Sequence, residues 1–112
     1  MNFAFSVADN QLGPEGANIL AGALHVNSSM NKIKVNECEL PIDVLKTGVE
    51  VDLSRQKLRV VDAIIIAACI NVSSSLKSID LSGNRIALNG EMAGVDALAE
   101  ALKVNASLNS LK

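Results

Sequence analysis

The feature that most constrains this chain is its repetition. The stretch Leu76-Lys-Ser-Ile79-Asp-Leu81-Ser-Gly-Asn84-Arg-Ile86 places apolar side chains at positions 1, 4, 6 and 11, with Asn at position 9. The same register returns at Met30-Asn-Lys-Ile33-Lys-Val35-Asn-Glu-Cys38-Glu-Leu40, with Cys in place of the Asn. Near the start Phe5, Val7, Asn10 and Leu12 occupy positions 4, 6, 9 and 11, with Asn2 at position 1. A further copy runs through Gly48, Val51, Leu53, Gln56 and Leu58, and Leu108 and Leu111 begin a last one. Such self-similarity means that one supersecondary unit is stacked on itself, because a single unit cannot bury its apolar edge alone.

The segments between the strand-like stretches also align. Leu20, Ala21, Ala23 and Leu24 match Ile66, Ala67, Cys69 and Ile70, and these match Leu98, Ala99, Ala101 and Leu102. Apolar residues at i, i+1, i+3 and i+4 make one buried helical face, so helices are expected over 15–25, 59–70 and 91–103. Position 1 moves from 2 to 30, 48, 76 and 108, in steps of 28, 18, 28 and 32. The step of 18 leaves room for a strand and a short turn, no more, so Pro41 to Gly48 is expected to be a brief crossover and the second repeat to lack a helix. There Pro fixes φ at the start and Gly supplies a turn.

This pattern resembles the leucine-rich repeat, specifically the ribonuclease-inhibitor-like type, over the whole chain. The resemblance implies an α/β solenoid, a right-handed horseshoe segment with parallel strands on the concave face and helices on the convex face. Residues 1–112 would then form one domain of about four repeats plus a terminal strand, a segment of a longer array. Asn10 and Asn84 would point inward and satisfy backbone groups of adjacent turns.

Composition narrows the partner. Ten basic residues face 12 acidic ones for a net charge of −2, with no Lys/Arg block, which argues against nucleic acid. The most apolar run, Ala63 to Ile70, falls well short of the roughly 20 residues that span a bilayer, and no signal pattern opens the chain. A cytoplasmic protein without membrane contact is expected, with Cys38 and Cys69 as reduced core residues. One His and no paired Cys spacing give no support for a metal or other cofactor.

Two surfaces compete for a functional role. Residues that alternate with the buried strand positions would line the concave face, with Lys32, Lys34, Glu50, Asp52, Lys77 and Asp80 as partner-binding candidates. Their functional reading is a groove in which the lysines meet an acidic patch and the aspartates a basic one; the plain reading is a solvated strand face. On the middle helix Val61, Ile64 and Ala68 fall where the other helices carry Glu15, Asn18 and Gly22, or Ala93, Asp96 and Glu100. This stripe reads either as an exposed self-association patch or as bulk that fills the gap left by the missing helix.

Neither terminus carries a polar capping unit, which solenoids need. Open strand edges at Phe3–Val7 and at Leu108–Leu111 are therefore expected to pair with partners or with other copies, through Phe3, Leu108 and Leu111. The sequons at Asn27, Asn71 and Asn105 are not expected to be glycosylated without a signal sequence; Asn27 and Asn105, each three residues before position 1 of the next unit, read as helix-ending turn residues. Ser73-Ser-Ser75 and His25 lack an oriented nucleophile–base pair, so no enzyme activity is expected. The function implied is a protein-interaction scaffold. The alternatives are an architectural spacer and, because some members of the family act so, a GTPase activator directed at Ran.

Overall fold

The structure is a computed structural model that describes residues 4–6, 13–26, 32–34, 39–73, 75–86, 92–105 and 110–111. Strands and helices alternate as β1 (Ala4–Ser6), α1 (Pro14–Val26), β2 (Lys32–Lys34), β3 (Glu39–Pro41), α2 (Ile42–Thr47), β4 (Glu50–Asp52), α3 (Val60–Val72), β5 (Ser78–Asp80), α4 (Ala93–Val104) and β6 (Ser110–Leu111). The three long helices fall within two residues of their expected limits. α1 opens on Pro14 and Glu15, where a missing N–H costs nothing and an acid faces the helix dipole.

The horseshoe does not form. Its concave wall requires each strand to continue one parallel sheet, yet the strands divide into two three-stranded sheets, β1-β2-β3 and β4-β5-β6. The break comes from the short step. Glu39–Pro41 turns back antiparallel on β2, pairing Ile33 with Leu40 and Lys34 with Glu39, and occupies the edge that β4 would need. The segment expected to be a helix-free crossover is instead a strand followed by a six-residue helix. Gly48 then serves close approach rather than a left-handed turn: its φ is −74° and an added Cβ would lie 2.6 Å from the Val44 carbonyl oxygen. The result is a compact α/β globule and not a repeat solenoid, with a radius of gyration of 12.6 Å against ~13 Å for a globular chain of this length.

One core joins both sheets to the helices. Strand side chains alternate as expected, with Ile33, Val51, Leu53, Ile79 and Leu81 buried and their neighbours facing out. α3 is apolar on all sides, a composition that belongs to a central helix, and it packs against α1, α2 and α4. The short α2 leaves α1 free to reach α3. At the other flank Gly94 lets α4 close on α3, where a Cβ would meet that of Ala63 at 2.9 Å.

α3 begins where the Asp62 carboxylate, fully buried, accepts the Arg59 backbone N–H at 2.9 Å. Asn84 ties the loop before this helix to the turn after β5. Its Oδ1 accepts the N–H groups of Gln56 and Leu58, and its Nδ2 donates to the carbonyls of Leu53 and Leu81. The inward, backbone-satisfying role expected of Asn84 is observed; Asn10 lies outside the described residues.

Candidate functional site

The exposed face of β4 and β5 carries the most organised set of polar side chains. Parallel pairing sets Glu50 beside Ser78, Val51 beside Ile79 and Asp52 beside Asp80. Because Val51 and Ile79 point into the core, the flanking residues project together from the other face. Glu50, Asp52, Ser78 and Asp80, with Val51, line a shallow cleft of about 310 Å³.

The two aspartates are held in the same way. Asp52 Oδ1 accepts the Ser54 backbone N–H at 2.9 Å and the Ser54 hydroxyl at 2.6 Å. Asp80 Oδ1 accepts the corresponding groups of Ser82 at 2.9 and 2.6 Å. These bonds fix each carboxylate at the strand end in one orientation. The Ser54 hydroxyl and then the Ser54 N–H hold the Asp52 carboxyl below its usual range, against desolvation and the neighbouring Asp80, with help from Arg55. Two carboxylates projecting from paired positions on adjacent parallel strands repel one another. A cation seated between them would relieve that repulsion.

The structure divides the expected concave set. Glu50, Asp52 and Asp80 come together, and Lys77 is exposed just before β5. Lys32 and Lys34 belong to the other sheet, where Lys32 lies 3.8 Å from Glu39. The wall that would have ranked all six side by side is interrupted by β3.

The proposed self-association stripe is absent from the surface. Val61 and Ile64 are 8% and 3% exposed and Ala68 is half-buried, because α1 and α4 cover α3 from two sides. Phe3 and Leu108 lie outside the described residues, and Leu111 ends β6 in register with Ile79.

Several features that invite chemical readings have structural roles. Ser73 Oγ accepts the Leu76 N–H, and Ser75 Oγ donates to the carbonyls of Thr47 and Gly48. Asn105, a sequon residue, is buried and donates to the carbonyls of Ile70 and Ser73 at the end of α3. Cys69 is a free, buried thiol whose pKa is pushed up to about 12 by desolvation, Lys46 opposing weakly. Cys38 and His25 lie where no side chain is described. Among the described residues no cluster of His, Cys, Asp and Glu could hold a metal ion. Nor is any helix among them long and apolar enough to cross a membrane.

The serine latches on Asp52 and Asp80 escaped sequence reading, although Asp-Leu-Ser occurs twice with the 28-residue step between copies. That identity was the available signal. No protein-family model matches the chain, and no curated protein matches it significantly.

Proposed function

We propose that this chain is a protein-interaction module that takes a basic segment of a partner protein on the β4–β5 face. The observation that carries the reading is the register pair Asp52–Asp80, each with one oxygen latched by a serine, in a cleft that Glu50 makes more acidic. Fixing the carboxylates in advance lowers the ordering cost of binding, and a guanidinium or ammonium group answers both charges at once. The role is one of binding rather than reaction. A cytoplasmic setting, in which thiols stay reduced, suits a core that holds a free Cys69.

The test is calorimetric titration with a short Arg/Lys-rich peptide. Asp52→Asn with Asp80→Asn is expected to weaken binding roughly tenfold or more, as for loss of charge-assisted hydrogen bonds, while Glu15→Gln on α1 leaves it unchanged. Equal weakening by both changes would mean unspecific attraction, and no binding by the unaltered chain would remove the reading in favour of an architectural one.

A further inference from the structure

All three arginines of the chain, Arg55, Arg59 and Arg85, fall on two segments that the fold joins, with Lys57 among them. They lie on the loop from β4 to α3 and on the turn after β5, and the backbone locks the two segments together. Arg55 N–H donates to the Ser82 carbonyl at 2.9 Å and Arg85 N–H to the Leu58 carbonyl at 2.8 Å. Asn84 bridges the same segments through the N–H groups of Gln56 and Leu58. The Arg55 side chain crosses over Gly83, where any Cβ would come within 2.7 Å of its Cγ. Arg55 and Lys57 both hold positive φ, 54° and 61°, although neither is glycine. The four side chains are exposed.

We infer that this corner is a second interaction surface, one that recognises an acidic peptide segment of a partner through its carboxylates. Arginine suits the task because its planar fork binds a carboxylate with two parallel hydrogen bonds. The corner is an open edge along two loops, so it fits a row of separate carboxylates better than a single enclosed anion. A nucleic-acid backbone fits poorly: four cations fall short of its usual footprint, and the acidic cleft next along the same strands repels a long polyanion. The surface uses none of the cleft residues, and its one link to them is Arg55, whose charge favours the Asp52 carboxylate.

The probe is a blocked tetraglutamate peptide, titrated at low and at physiological salt. Replacing Arg55, Arg59 and Arg85 together by Gln is expected to cut affinity at least roughly tenfold, and replacing them by Lys to recover only part of it, since the forks are lost. The distant pair Lys32→Gln with Lys103→Gln should leave binding intact. Circular dichroism confirms that these exposed changes keep the fold. Full binding by the lysine variant, equal loss in the distant pair, tighter binding of a single-stranded oligonucleotide at the same arginines, or no binding by the unaltered chain would each overturn the inference.

Discussion

At the scale of single residues, two asparagines and one cysteine show how this small core is secured. Asn84 bonds five backbone groups of the β4–α3 loop and the turn after β5, and an amide is the one neutral side chain able to give and accept in this way. Asn84→Ala leaves those groups without their partner and is expected to destabilise the fold by about 2–4 kcal/mol, read as a lower urea midpoint with an unchanged slope. This role was legible, because an Asn at a fixed place in a repeated stretch invites it. Asn105 was legible only as the residue that ends a helix; its bonds to Ile70 and Ser73, more than thirty residues earlier, depend on how α4 packs on α3. Burial of Cys69 carries a pH prediction. The thiol has its folded pKa raised from 9.0 to about 12, so the stability it lends is complete below pH 9 and drains away as pH rises from about 9 toward 12. At neutral pH its reaction with a thiol reagent should follow the rate of unfolding. Rapid labelling of the folded chain would contradict its burial.

At the scale of elements, α3 decides the architecture. Its sequence, Val-Val-Asp-Ala-Ile-Ile-Ile-Ala-Ala-Cys-Ile-Asn-Val, has almost no polar side, and a helix of that kind is stable only with neighbours on several sides. Helix limits were readable from periodicity, and so was the alternation in β4 and β5. What could not be read was which helix would cover which: the outer stripe Val61–Ile64–Ala68 looks exposed if every unit repeats its neighbour, and becomes buried once the reduced α2 lets α1 close on α3. The antiparallel return of Glu39–Pro41 was equally hidden, since three residues with one buried leucine carry no periodic signal. Ile64 tests the corrected packing. Ile64→Ala should cost about 2–5 kcal/mol by opening a cavity, and Ile64→Glu should unfold the chain outright because it buries an unpaired charge. A folded Ile64→Glu variant of unchanged stability, altered only in its association state by light scattering, would restore the interface reading.

At the scale of the whole molecule, the division into two sheets raises the question of whether the chain folds as one unit or two. Separate sheets usually mean separable parts, but here the helices cross the division: α3 follows β4 of the second sheet and packs against α1, which joins the two parallel strands of the first. Buried residues of both halves, Ile33 and Leu40 on one side and Leu58, Ile66 and Ile79 on the other, belong to a single apolar cluster. The apolar faces of both sheets are buried in the same cluster as that shared helix, so neither is covered without it. Unfolding is therefore expected to be one cooperative transition, with the same midpoint by circular dichroism and by chemical shifts from either sheet. Hydrogen exchange should rank the elements by their distance from the shared helix. Amides in the middle of α3, around Ala63 to Ile66, should exchange only through global unfolding, and those of α2, a single short helix with exposed Val44, should exchange earlier through local opening. Two separated melting transitions, or faster exchange in α3 than in α2, would mean that the sheets fold independently and that α3 is a bridge rather than the centre.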